Sequence, residues 1–271
     1  MKKLLSIAAI ALMATTALVL VQCDVIAGDG PTGVKVEMDT DSTVKVTWNS
    51  PVAGTPDKYI VSFNEVGTTS YTMLGEVTTT SYIHNPMGKT GKYKVEADFD
   101  GTKYQGTTEP TTVPVANAST TVSELNATGS SGYGWNLSTG TGTTYSMTQS
   151  GNAANVDFYI SDFAAGYSGA TYSIVSPDLG PSDPGNVVPS GSWKVNAFTN
   201  ALTSEQGPLP SHNPIVYFNY TDLVTSPIVV GCYTDDGYYA LVKINDINTG
   251  AGTVQVQTWF QLIEGLRLVQ H

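Results

Sequence analysis

One aromatic residue near the C-terminal end stands among amides, in a pattern that suits ligand binding. Between residues 254 and 260 apolar and polar side chains alternate, which predicts a β-strand with two different faces. Gln255, Gln257 and Trp259 share one face, opposite the set Val254, Val256, Thr258 and Phe260. A large aromatic ring beside two amides suits a stacking platform for a ligand such as a sugar ring. The better account is that Trp259 packs under the loop or against the first domain.

The carboxylates give no defined catalytic site. Glycoside hydrolysis needs two carboxylates brought together in space, and Asp157, Asp222 and Asp246 are candidates that no spacing selects. No Gly-x-Ser-x-Gly elbow, phosphate-binding glycine loop or His-Glu-x-x-His motif occurs. Asp178 and Asp183 suit either a calcium site or the shaping of a turn, and the turn is the better account. We therefore predict no catalytic residues, no metal site and no enzymatic activity.

Cysteine and histidine are too few for a disulfide framework or a transition-metal site. The chain has two Cys, Cys23 and Cys232, and three His. Cys232 alternates with Ile228 and Val230, which predicts a small buried core residue. His84 and His212 stand beside prolines in turn-like segments, and we expect both to be solvated loop residues.

Three consecutive strands must position the candidate platform. Residues 228–233, 238–244 and 254–260 form a predicted meander, with turns at Asp235-Asp236-Gly237 and around Gly250 and Gly252. Asp-Gly and Gly-rich turns join antiparallel strands because they tolerate positive φ. The first of these strands is apolar on both faces, which predicts that it is covered on both sides.

Composition indicates an all-β protein throughout. The chain has 271 residues with 27 Gly, 14 Pro and only 13% charged residues, a pattern of short strands joined by turns. Its formal net charge is −11, and the segment 116–271 has only three basic residues, Lys194, Lys243 and Arg267. Nucleic-acid binding and attraction to an anionic membrane surface are therefore disfavoured.

The first residues predict export. Met1-Lys2-Lys3 precedes an uncharged apolar run from Leu4 to Val21, so residues 1–27 read as a signal peptide. Leu20-Val21-Gln22-Cys23 resembles a bacterial lipobox, in which Cys23 is lipidated, although Gln22 stands where that motif has a small residue. Cleavage after Ala27 is the alternative. Both predict an extracytoplasmic protein, either secreted or anchored to the outer membrane by its lipid.

Alternating strands continue through residues 29–115. Pro31, Val46-Thr47-Trp48, the Tyr-x-Val-x-Phe pattern at 59–63 and the Tyr-x-Val-x-Ala pattern at 93–97 resemble the fibronectin type III family. The resemblance implies a β-sandwich of about seven strands, with Trp48 in its core and Tyr93 as its corner tyrosine, acting as a spacer or docking module.

We therefore expect a fibronectin-like domain at 28–112, a semi-rigid linker at 113–122 and a second, antiparallel, sandwich-like all-β domain at 123–271. The polar loop at 176–192 is long enough to suggest a functional role.

The meander also resembles the end of the HmuY-like family of exported haem-binding lipoproteins. The similar residues are Val229-Val230, 234–237, 239–244, 254–256 and Trp259-Phe260-Gln261. The resemblance implies haem ligation by two histidines, but the second domain has only His212 and His271, and we assign no haem ligand.

Three functions follow from these patterns. The first is a non-catalytic exported binding or structural protein, with a glycan or a surface protein as its unidentified ligand and no cofactor. The second is a haem-binding lipoprotein. The third is a carbohydrate-active protein with an accessory module. Contact with a membrane is expected only through a lipid on Cys23.

Overall fold

The N-terminal part is a seven-stranded β-sandwich. The computed structural model describes residues 29–162 and 171–271. One sheet has the order β1-β2-β5 and the other β4-β3-β6-β7, all antiparallel. The strands are β1 (Thr32–Thr40), β2 (Thr43–Asn49), β3 (Lys58–Glu65), β4 (Thr72–Val77), β5 (Ser81–His84), β6 (Gly91–Phe99) and β7 (Thr102–Gln105).

Period-2 alternation builds the core of this sandwich. The inward residues of β2, β3 and β6 are buried: Val44, Val46, Trp48, Tyr59, Val61, Phe63, Tyr93, Val95 and Ala97. Trp48 packs edge-on against Tyr59 with ring centroids 5.3 Å apart. The predicted core positions of Trp48 and Tyr93 are confirmed.

The prediction that His84 is a solvated loop residue is wrong. It ends β5, and its Nδ1 lies 2.8 Å from the hydroxyl of the fully buried Tyr93. Its ring also contacts Phe63 at 5.2 Å. The Asn-Pro turn that follows therefore begins just after a residue that packs against the core.

The C-terminal part is a second antiparallel sandwich, which confirms the all-β fold class. Its six-stranded sheet has the order β14-β13-β16-β17-β18-β8 and its five-stranded sheet β10-β9-β11-β12-β15. The strands are β8 (Val115–Ser123), β9 (Gly132–Trp135), β10 (Gly142–Tyr145), β11 (Phe158–Ser161), β12 (Tyr172–Val175), β13 (Ala197–Thr199), β14 (Tyr217–Phe218), β15 (Tyr220–Leu223), β16 (Ile228–Tyr233), β17 (Tyr239–Asn248) and β18 (Thr253–Phe260).

Aromatic pairs fill the space between these two sheets. Tyr133 stacks on Phe158 at 5.1 Å, and Trp135 stacks on Phe260 at 5.4 Å. Cys232 lies in the same core with no exposed surface, as predicted from its alternation with Ile228 and Val230. The meander β16–β17–β18 also forms as predicted, and Gly237 in its first turn has φ +86°.

The predicted linker at 113–122 is a strand. Most of it forms β8, which pairs with β18 at the edge of the six-stranded sheet. Its small polar and β-branched residues suit an edge strand, where one side of the backbone has no strand partner. Within β8 only Val122 and Ser123 are buried, so the strand lacks the apolar alternation that marks a central strand.

The last ten residues belong to both sandwiches, which changes the expected domain boundary at 123–271. After β18 the chain returns to the first sandwich, where Leu266 and Leu268 have no exposed surface and pack into its core. Backbone N–H and side-chain hydroxyl of Thr90 both donate to Gln270, at 2.9 and 2.6 Å. The backbone N–H of Arg267 donates to the Asp41 carbonyl at 2.9 Å. We call residues 262–271 the C-terminal strap.

Candidate functional site

The proposed platform at Trp259 is covered. The side chain is 5% exposed and packs with Leu209, Tyr239 and Leu241 on the outer face of the six-stranded sheet. The ring of His271, at the end of the strap, stacks on it with centroids 3.8 Å apart and an interplanar angle of 22°. Trp259 therefore has the packing role that was the better account of its sequence, because the strap returns across the face it occupies.

Gln255 and Gln257 are half-buried on the same sheet face. Gln255 Nε2 donates to Thr121 Oγ1 on β8 at 2.6 Å. Gln257 pairs with Lys243 in the register of β17 and β18, and Asn245 Nδ2 lies 3.5 Å from its Oε1. The alternation of β18 is as predicted, but the two amides and the indole do not form one open site.

The three tryptophans of the second sandwich lie in three separate clusters. Trp135 is in the core between the sheets, Trp193 packs outside the five-stranded sheet, and Trp259 packs outside the six-stranded sheet. Each is at most 6% exposed. A shared tryptophan groove is therefore absent from the described residues.

Asp157 is engaged in the interior. Its side chain has no exposed surface, and Oδ1 lies 3.1 Å from Lys194 Nζ and 3.2 Å from Asn196 Nδ2. The backbone N–H of Trp135 donates to Oδ2 at 2.8 Å. Burial raises the pKa of Asp157 despite these partners, while Asp157 and Asp236 outweigh desolvation and raise the pKa of Lys194. Both carboxylate oxygens thus stabilise local structure.

The loop 176–192 packs against β11, and its Asp183 hydrogen-bonds to side chains of that strand. It begins with a 3-10 turn at Pro177–Ser182, and Val188 is buried against Trp193 and Met147 in one cluster. Asp183 is 3% exposed and accepts hydrogen bonds from Ser161 at 2.6 Å and Tyr159 at 3.2 Å.

The other acidic residue of the loop 176–192, Asp178, makes a local contact at the start of the loop. Asp178 accepts a hydrogen bond from Ser176.

Among residues 29–162 and 171–271, no three His, Cys, Asp or Glu side chains gather in a way that could hold a metal ion.

The two histidines of the second sandwich contact different aromatic rings. His212 is exposed as predicted, yet it stacks on Tyr233 at 4.0 Å and 11°, and its backbone N–H donates to the Tyr239 hydroxyl at 2.8 Å. Burial lowers the pKa of His212. His271 lies on Trp259. One face of each imidazole ring is thus used in packing, and the two histidines do not face a common position where they could both bind one haem iron.

An open groove lies beside the polar end of the predicted face. Its volume is about 560 Å³, and residues 201–205 form one wall, Val224, Thr225 and Pro227 the other, with Val229 and Lys243 at its floor. Lys243 Nζ lies 2.8 Å from Glu205 Oε2 across it. Gln257 pairs with Lys243 on the neighbouring strand but is not among the residues that line this groove.

A second groove adjoins the first at Ala201. It measures about 320 Å³ and is lined by Asn200, Ala201 and residues 218–222. The chain crosses here from β14 in one sheet to β15 in the other, and Thr221 Oγ1 donates to the Thr199 carbonyl at 2.7 Å. Both grooves run between residues 200–205 and 218–229, on the open side of the sandwich. We call them together the trough.

Phe218 is the exposed aromatic residue of the trough. Its neighbour Tyr217 is 4% exposed in the outer cluster, and successive strand residues point to opposite faces, so Phe218 points away and keeps 38% exposure. Asp222, also in the trough, accepts a hydrogen bond from Ser173 at 2.8 Å through Oδ1.

Sequence reasoning missed Phe218. The alternation in 217–222 was its only signal, and that signal does not show which side of the strand remains open.

The predicted export signal at 1–27, including Cys23, lies outside the described residues. No helix in the described ranges is long and apolar enough to span a membrane.

No model of a known protein family matches the chain, and no curated protein does. Among solved structures, an Fn3-like protein from Clostridium thermocellum is 24% identical, covers 31% of this chain and 91% of that chain, and has a TM-score of 0.28. The protein FN3tt is 14% identical, covers 31% and 94%, and has a TM-score of 0.25.

A structure of titin kinase and its flanking domains is 12% identical over 87% of this chain and 38% of that chain, with a TM-score of 0.29. At this level of similarity we draw no activity or partner from any of these structures. They add no support to the HmuY resemblance.

Proposed function

We propose that the chain is an exported, non-catalytic binding protein that holds its ligand in the trough. The observation that carries this proposal is the trough itself, where an exposed aromatic ring, amides and a carboxylate meet on the open side of the second sandwich. Its two parts, about 320 and 560 Å³, fall within the usual range of ligand sites, about 300–1,000 Å³.

The acidic residues favour binding over hydrolysis. Asp157 and Asp183 are committed to interior hydrogen bonds. In the trough Glu205 is ion-paired with Lys243 at 2.8 Å, and Asp222 accepts a hydrogen bond from Ser173 at 2.8 Å. A hydrolase of the usual kind needs one carboxylic acid and one carboxylate facing the same bond. The proposal therefore expects no released product when polysaccharides are incubated with the protein, and sustained release would contradict its non-catalytic part.

The fibronectin-like sandwich would serve as a rigid spacer. It shares its core with the strap, through Leu266 and Leu268, and its Gly91 carbonyl accepts a hydrogen bond from the Thr112 backbone N–H at 2.9 Å. Such a support would hold the trough at a fixed distance and orientation from the N-terminal anchor.

Binding can be tested on arrays that carry both extracellular proteins and glycans. We expect the full chain without its signal to bind members of one class, and Ala201→Arg to abolish that binding, because Ala201 lies where the two grooves meet. Ile215→Arg is the matched control, since Ile215 is 84% exposed and outside the trough. Binding to neither class, or binding that Ala201→Arg leaves intact, would refute the proposal.

Export and anchoring have their own test. Mass spectrometry of the mature protein from cells should show either a lipid on Cys23 or an N-terminus at Gly28, and Cys23→Ala removes the lipid in the first case. An intact Met1 in the cytoplasmic fraction would contradict export.

Haem binding gains no specific support. His212 and His271 stack on Tyr233 and Trp259. We expect no Soret shift beyond free haem when haem is added to the protein, and a shift that His212→Ala abolishes would reverse this conclusion.

A further inference from the structure

We propose that the trough binds neutral glycans, with Phe218 as the stacking surface for a sugar ring. This inference rests on the proposed binding function and names the ligand class for the same site. It moves the stacking role from the covered Trp259 on β18 to Phe218 on β14, which is the edge strand farther from β18 in the six-stranded sheet.

Phe218 has the exposure and position that a stacking residue requires. Its side chain is 38% exposed, and it is the one phenylalanine among the described residues that is exposed. Phe218 lines the second groove together with Tyr220. The C–H face of a pyranose is apolar, so covering it with an aromatic ring removes apolar surface from water. Because the residues around the Phe218 ring are mostly polar, this site suits a sugar better than it suits an apolar protein surface.

Polar groups around the ring match the hydroxyls of a sugar. Asn200 and Asn219 are exposed, and neither side chain makes a hydrogen bond with the described residues. An amide offers two donors and an acceptor, and a carboxylate offers acceptors, so the pair Asn219 and Asp222 can both donate to and accept from hydroxyl groups. Ser173 occupies Oδ1 of Asp222, which fixes the carboxylate in the groove.

Charge selects neutral over acidic glycans. Asp222 contributes a negative charge within the groove, and among the described residues that line the trough the one cationic side chain, Lys243, is paired with Glu205 at 2.8 Å. The whole chain has a formal net charge of −11. Uronic acid or sulfate groups would meet like charge there without a free cation to compensate.

The length of the trough favours an oligosaccharide over a single sugar. The groove of about 320 Å³ holds the Phe218 ring at one end, and the groove of about 560 Å³ continues from Ala201 to Lys243. A sugar on Phe218 would therefore have further units directed toward Lys243, near Gln257 on the adjacent strand.

An array of neutral oligosaccharides (gluco-, manno- and galacto-series) and anionic ones (uronates and sulfated glycans) tests the inference with the full chain. We expect binding to a neutral series that strengthens with chain length. Phe218→Ala should weaken it about tenfold or more, Phe218→Tyr should retain it, and Ile215→Ala should leave it unchanged. Asp222→Asn should keep neutral binding and increase binding to anionic glycans.

Several results would overturn the inference. They are tightest binding to anionic glycans, equal binding by Phe218→Ala and the parent chain, or no glycan bound at all. If extracellular proteins alone bind and Ala201→Arg removes that binding, the proposed function stands and the neutral-glycan inference fails. If Ala201→Arg has no effect on any ligand, both fail.

Discussion

Asp157 is a buried carboxylate that holds together several segments just before β11, the central strand of the five-stranded sheet. The carboxylate lies beneath Lys194, and it also receives the backbone N–H of Trp135 and the amide of Asn196. Removing Asp157 leaves Lys194, at 13% exposure, with Asp236 as its remaining anionic partner, and it leaves the backbone N–H of Trp135 and one amide contact of Asn196 without their acceptor in the interior, which is costly. This residue belongs to the architecture of the second sandwich, although its type alone suggested a catalytic acid.

Asp157→Ala is therefore expected to lower the free energy of unfolding by about 3–5 kcal/mol. The matched control is Glu76→Ala, which removes the partner of Lys58 in an ion pair of 2.8 Å whose side chains are 37% and 44% exposed. That change should cost less than about 1 kcal/mol. Denaturant unfolding of both variants gives the comparison, and equal effects would contradict a structural role for Asp157.

His84 makes the first sandwich sensitive to acid. Burial lowers its pKa from the ordinary value of 6.5. Below pH 6.5 the unfolded chain therefore binds a proton that the folded chain resists, so this residue's contribution to stability is present above pH 6.5 and is lost as the pH falls through the folded pKa. Titration of the His84 ring protons by NMR, assigned with His84→Gln, should give a midpoint below 6.5, and a midpoint above 6.5 would contradict this burial.

At the scale of elements, local patterns predicted the strands whose two faces differ. β17 and β18 combine alternation with Gly-rich turns, and β2, β3 and β6 alternate around a buried face. β16 is apolar on both faces and was predicted from the Asp-Gly turn that follows it. β4 was missed because its sequence, Thr-Met-Leu-Gly-Glu-Val, has no clear alternation and lies at a sheet edge. β8 was missed for a related reason, since its residues are small and polar.

The candidate site was harder to predict than the strands. Whether Trp259 is open depends on a strap that begins after the strand ends, and whether Phe218 is open depends on where the chain crosses between sheets. Both are tertiary facts that alternation does not encode. The sequence predicted the alternation of β18, with Gln255, Gln257 and Trp259 on one face, but not that the strap covers Trp259.

The strap is expected to carry a large share of the stability of the first sandwich. Leu268→Ala leaves a cavity in that core, where Leu268 has no exposed surface, and should cost about 2–5 kcal/mol. Leu262→Ala, at a strap residue that is 39% exposed, should change stability by about 0.5 kcal/mol. Denaturant unfolding checks both values, and a negligible effect of Leu268→Ala would show that the strap does not complete the core in solution.

At the scale of the whole molecule, the two sandwiches should unfold together. The strap places Leu266 and Leu268 in the core of the first sandwich and Val269 in the outer cluster of the second, and Gln261 Nε2 donates to the Thr112 and Leu268 carbonyls at 2.9 and 2.7 Å. We expect one cooperative transition in calorimetry for residues 29–271, and two transitions after deletion of 262–271. Two separate transitions in the undeleted chain would contradict a rigid spacer.

The central claim is that ligand is held in the trough of the second sandwich. Hydrogen exchange of the full chain, with and without the neutral oligosaccharides that it binds, tests this most directly. The account predicts slower amide exchange in residues 199–205 and 218–229, with little change elsewhere in the described chain. Slowing centred instead on the cleft of the first sandwich lined by Phe63, His84 and Met87, or no slowing in either place, would contradict it.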